Sequence, residues 1–142
     1  MLFRSLHIDA DASADSAAQS GDVAFFVNED GVTEQYRGDG VQMALLSEPL
    51  PGFKAVISRG QYGWNVEMRI ADSLIGGWNH AGRIGVFDFS AFNAFLLGIP
   101  IESPRSAWWP AATSLNNPST WAPVWFGATP DRKSTRLNSV TL

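Results

Sequence analysis

The feature that most constrains this chain is a two-residue alternation of apolar side chains. It is clearest from Trp64 to Ile70, where Trp64, Val66, Met68 and Ile70 alternate with Asn65, Glu67 and Arg69. A period of two places successive side chains on opposite faces of an extended strand, so one face is buried and the other meets water. The same reasoning predicts strands at Leu6 to Ala10, Val23 to Asn28, Val41 to Leu46, Phe53 to Arg59, Arg83 to Phe89 and Thr120 to Phe126. Turn chemistry separates them: Asn-Glu-Asp-Gly at 28–31, Gly-Asp-Gly at 38–40 and Pro-Leu-Pro-Gly at 49–52. Ala71 to Ile75 reads as a single helical turn ended by Gly76-Gly77, and Ser90 to Asn117 as long loops rich in Pro, Asn, Ser and aromatics. The expected fold is all-β: an antiparallel β-sandwich of two sheets, of the jelly-roll or immunoglobulin-like kind, with long loops.

The two ends stand apart from this pattern. Met1 to Ser5 and Asp131 to Ser139 resemble translated adapter oligonucleotides, so residues 1–5 and 131–142 are read as non-native and residues 6–130 as a single domain. That domain carries six basic and thirteen acidic side chains, a formal charge of −7. Arg37, Lys54, Arg59, Arg69, Arg83 and Arg105 are scattered singly, whereas nucleic acid and anionic membranes select clustered cations. Neither is an expected partner. No apolar run reaches the roughly eighteen residues of a membrane span.

With no cysteine, the chain has no disulfide framework, zinc-thiolate site or thiol nucleophile. His7 and His80 lie far apart in sequence, and no nucleophile elbow, metalloprotease helix or phosphate loop is present. Glu67 falls on the solvent side of its strand, Asp88 near a strand end and Asp30 in a hairpin turn, all positions with structural duties. The expectation is therefore a protein that binds without catalysing.

The run GWNVEMRIADSLIGG at 63–77 resembles the best-marked segment of family nine carbohydrate-binding modules and their DOMON-like relatives, in which an aromatic opens a W-x-x-E-x-x-I strand followed by a short helical turn. GDVAFFVNEDG at 21–31, RIGVFDF at 83–89, Trp109-Pro110 and PSTWAPVWFG at 118–127 occur in the order that the resemblance predicts. The chain departs from the pattern in lacking the opening Trp-Asp strand and in carrying Ala71-Asp72 where a proline is usual. The resemblance implies a saccharide-binding accessory module of a secreted or cell-surface bacterial protein, joined to other domains. A structural or adhesion sandwich whose tryptophans are packing is the alternative.

Sugar rings stack their C–H faces on flat aromatics while their hydroxyls seek polar groups. Trp78, Trp108 and Trp109 are the candidate stacking residues, with Asn79, His80, Asn93 and Arg105 as polar partners. Trp64 is assigned to the core. Asp9, Asp11 and Asp15 space their oxygens like part of a calcium loop, with Asp22 and Asp39 as further candidate ligands. The resemblance to DOMON domains also raises haem ligation through Met43, Met68 and His80, although alternation turns Met68 inward.

Overall fold

The computed structural model describes residues 3–89, 105–127 and 139–141, with backbone only at Phe89, at 105–108 and at 139–141. Ten strands are described: β1 (Phe3–Asp9), β2 (Asp22–Asn28), β3 (Thr33–Gly38), β4 (Met43–Leu45), β5 (Phe53–Gly60), β6 (Gly63–Ile70), β7 (His80–Phe89), β8 (Arg105–Trp109), β9 (Ala122–Phe126) and β10 (Ser139–Thr141). They form a seven-stranded sheet in the order β4-β3-β2-β1-β7-β8, with β9 also paired to β7, and a three-stranded sheet in the order β10-β6-β5. All pairings are antiparallel. This is the expected all-β, two-sheet architecture.

The core between the sheets follows from the alternation. Trp64, Val66, Met68 and Ile70 of β6 are buried while Asn65, Glu67 and Arg69 between them are exposed. They meet Leu6 and Ile8 of β1 and Val23, Phe25 and Val27 of β2, flanked by Phe53, Ile57, Ile84 and Val86. The assignment of Trp64 and Met68 to the core holds, at 7% and 0% exposure.

β2 obeys a different rule, since every residue of DVAFFVN is buried. A strand covered on both faces reads as a continuous apolar run instead of an alternation. The second cover is the segment from Pro110 to Trp121, which crosses the outer face of the large sheet. Leu115 packs there with Ala24, Phe26, Tyr36 and Phe87. Trp121 is 1% exposed and donates its indole N–H to Ser114 O at 2.7 Å. Arg83 holds the segment down by donating to Pro118 O at 3.1 Å, Ser119 O at 3.1 Å and Trp121 O.

His7 lies at the centre of this outer layer, 1% exposed, with its ring 4.6 Å from Phe87, 5.3 Å from Phe26 and 5.5 Å from Trp121. Its Nε2 meets Ser5 Oγ at 3.2 Å and its Nδ1 has no hydrogen-bond partner. Burial among these rings pulls the imidazole from 6.5 down to about 3; the Leu115 backbone opposes the shift without making a bond of ordinary geometry to Nδ1.

Three elements differ from the sequence reading. β3 was not expected, because TEQYRG lacks apolar alternation; its buried side chains are Gln35 and Tyr36. Gln35 is satisfied by giving its amide to Leu50 O at 3.0 Å and accepting from Leu50 N at 3.1 Å. β8 interrupts the segment expected to be loop, and Thr120 closes a 3-10 turn at Pro118–Thr120 before β9 begins. Phe3–Ser5 and Ser139–Thr141, from the two ends read as non-native, run as backbone in β1 and β10.

Two outcomes check the packing. Trp121→Ala should lower unfolding stability by about 3–5 kcal/mol in urea melts, the range for truncating a buried large aromatic, whereas the exposed Val56→Ala should change it by no more than about 0.5 kcal/mol. His7, depressed in the folded state, contributes stability that is present above pH 6.5 and is lost as pH falls toward about 3. Its imidazole resonances should therefore stay at their neutral positions while the folded chain is acidified through pH 5, and protonation near pH 6.5 would contradict the buried placement.

Candidate functional site

At one end of the sandwich the terminus of β1, the starts of β2 and β7, the end of β3 and the 3-10 turn Asp72–Ile75 converge around a cleft of about 590 Å³. Its polar lining comes from Asp11, Ser20, Arg37, Ser73 and His80. Ala10, Val23 and Leu74 supply the apolar part. The volume lies within the range of small-ligand sites, about 300–1,000 Å³.

Local geometry fixes these walls. Gly38 has no room for a Cβ, because the backbone of Ala18 and Gln19 lies directly on it, and Gly40 N donates to Ala18 O at 2.9 Å. The connection from β1 to β2 is thus clamped to the end of β3, which brings Ser20 and Gly21 beside Arg37. On the opposite wall Gly76 takes the left-handed conformation at φ 81° that ends the 3-10 turn. His80 packs on Phe126 at 5.3 Å between ring centres, and its Nδ1 and Nε2 face Ala81 O at 2.8 Å and Gly77 O at 3.2 Å.

The structure brings some expected residues to this end and places others elsewhere. His80 lines the cleft, and Trp78 and Asn79 immediately precede it, half-buried and exposed respectively. Asn79 N donates to Phe126 O at 2.6 Å, joining this corner to the end of β9. Trp109 is 50% exposed but pairs with Val86, six residues along β7 from His80. At a rise of about 3.3 Å per residue that separation is roughly 20 Å, so Trp109 belongs to a different part of the surface. Trp108 and Arg105 are placed by backbone alone, opposite Phe87 and Phe89; Asn93 lies outside the described residues.

Residues not singled out in the sequence complete the picture. Trp125, 52% exposed, pairs with Ala81 and so stands at the cleft end of the sheet. A side chain at Gly127 would come within 3.0 Å of Trp125 Nε1 and press on Asn79, so these three positions crowd together. Arg37, Ser20 and Ser73 were missed because they sit on three separate elements without any shared spacing.

Behind Asp11 lies an acidic group. Asp9 and Asp22 face each other across the β1–β2 ladder, 0% and 1% exposed. Burial raises both, Asp22 to about 6, with repulsion from Asp9, Asp11 and Asp15 adding to the shift. Hydrogen bonding from Ser13 instead lowers Asp11. Their oxygens are engaged by the chain itself. Asp9 accepts from Ser13 N at 3.3 Å and Ala14 N at 3.0 Å, Asp15 from Ser13 Oγ at 2.8 Å and Asp22 from Gln19 N at 2.6 Å. Among the described residues no group of three or more His, Asp or Glu is arranged to hold a metal ion. The carboxylates expected to ligate calcium accept hydrogen bonds from the β1–β2 connection, and Asp39 accepts from Val41 N and Gln42 N, each at 2.9 Å. Neither Met43 nor Met68 lines the cleft with His80. No helix among the described residues is long and apolar enough to cross a membrane.

Asp22 yields a signed pH prediction. Its folded value is raised from 3.8 to about 6, so its contribution to stability is present below pH 3.8 and is lost as pH rises through about 6. Asp22→Asn keeps the acceptor for Gln19 N and removes the charge. Thermal melts should show the variant more stable than the parent at pH 7 and equal to it at pH 3.5; a pH-independent difference would show that the carboxyl is not shifted. The chain has no significant match to any protein-family model, curated protein or solved structure.

Proposed function

We propose that this chain is a non-catalytic saccharide-binding accessory module of a secreted or cell-surface bacterial protein, with the end cleft as its binding site. The observation that carries the proposal is the cleft itself: about 590 Å³, with hydroxyl, carboxylate, guanidinium and imidazole groups from separate elements set around an apolar patch. Such a mixture suits a ligand with apolar ring faces and a rim of hydroxyls. Trp125 and Trp78 at the same end of the sheet offer aromatic surface close by. The resemblance of 63–77 to family nine carbohydrate-binding modules points the same way. The acidic side chains nearest the cleft accept backbone N–H groups, which suits structural duty better than acid–base chemistry.

A purely structural role is favoured for two of the tryptophans. Trp64 and Trp121 are sealed in the two cores, so neither stacks on a ligand.

A glycan array probed with the intact chain, followed by titration calorimetry on the best ligand, tests the proposal. Ser73→Ala should weaken binding about three- to tenfold, the worth of one hydrogen-bonding group, while Trp109→Ala should leave affinity unchanged. Absence of binding to any saccharide by the folded chain would overturn the reading, and loss of binding on Trp109→Ala alone would move the site to the other part of the sheet.

A further inference from the structure

Arg37 stands apart from the other arginines whose side chains are engaged in the fold. Arg4 pairs with Asp88 at 3.2 Å, Arg59 pairs with Asp30 at 3.0 Å, and Arg83 is spent on three backbone carbonyls. Arg37 lines the cleft, is exposed, and its guanidinium makes no hydrogen bond or ion pair among the described residues. A guanidinium presents five donors in a planar fork that matches the two oxygens of a carboxylate. The other charged wall is Asp11, whose Oδ1 accepts Ser13 N at 2.9 Å while Oδ2 faces Gly21.

Resting on the saccharide reading, we propose that the cleft selects an acidic saccharide, a sugar ring bearing a carboxylate as in a uronate residue, and that Arg37 is its specificity-determining residue. The carboxylate takes the guanidinium fork, and ring hydroxyls donate to Asp11 Oδ2 and exchange hydrogen bonds with Ser20 and Ser73. The electrostatic setting sharpens the assignment. Asp9, Asp11 and Asp15 all lie close enough to Asp22 to raise its carboxyl by repulsion, so this end of the sandwich disfavours further negative charge. An anion therefore enters at a cost that Arg37 offsets, and a neutral sugar incurs no such cost. Removing the guanidinium should do more than abolish a preference for the acid; it should reverse it.

The experiment compares a glucuronate-containing disaccharide with the glucose disaccharide of the same linkage, both titrated into the intact chain and into Arg37→Gln. The expected result is that the parent binds the acidic sugar about five- to tenfold more tightly, that added salt erodes this preference, and that Arg37→Gln reverses it, binding the acidic sugar more weakly than the neutral. Equal binding of the two sugars by the parent overturns the acidic selectivity and leaves the saccharide reading standing. A preference that survives in Arg37→Gln overturns the role of Arg37. Binding of neither sugar, nor of any glycan on the array, overturns both. Because Arg37 is exposed, the variant should melt with the parent, and the comparison within the parent alone decides the selectivity if it does not.

Discussion

The large sheet has to be covered on both faces. Seven strands cannot be sealed by a three-stranded sheet on one side alone, and β1 and β2 in the middle carry apolar side chains in both directions. The hairpin of β5 and β6 seals one face with Trp64, Val66, Met68 and Ile70, and the Pro110–Trp121 segment seals the other with Leu115 and Trp121. Burying a large aromatic or aliphatic side chain contributes about 1.5–3 kcal/mol, so each cover supplies a substantial part of the stability. The uncharged state of His7 follows from the same constraint. A ring enclosed by Phe26, Phe87 and Trp121 has no room for the water that an imidazolium needs.

The cleft exists because the two layers do not close completely at one end. There the connections at residues 10–21 and 71–79 are conformationally restricted, with left-handed backbone at Ala12, Ala14, Gly76 and Asn79. The acidic pair Asp9 and Asp22 belongs to this economy. Two carboxylates opposed across a ladder are costly, yet their oxygens receive the backbone N–H groups of the turn that builds one wall. Shape at the cleft is thus obtained by storing electrostatic strain just behind it.

Much of the fold was readable in the residue order, and the reasons for success and failure are physical. β6 shows a clean alternation because one of its faces is wet, and β2 shows a continuous run because neither is. β3 escaped because its buried positions are Gln35 and Tyr36, polar groups satisfied by Leu50, distant in sequence, and by the neighbouring Glu34. β8 escaped because its flanks do not alternate. At the site, His80 was legible through its place after Trp78 and Asn79, whereas Arg37 and Ser73 reach the same cleft from elements that only the sheet order brings together. Trp108 and Trp109 were candidate stacking residues beside Trp78, and ladder register places Trp109 six residues along β7 from His80, opposite Val86. Spacing in sequence predicts faces well and ends of a sandwich poorly.

β8 and β9 share one long edge of β7, and their pairings meet at Val86↔Trp109 and Ile84↔Ala122. The outer cover therefore departs from and returns to points about 7 Å apart on a single strand, at the usual rise per residue. Such an excursion is a compact Ω-shaped loop held shut by its own anchors. Its closure is set by β7 and not by its own length, so residues exchanged, added or removed at its tip leave the strand ladder in register. The cover is in that sense a replaceable cassette, mounted on the same strand that carries His80 at the cleft end.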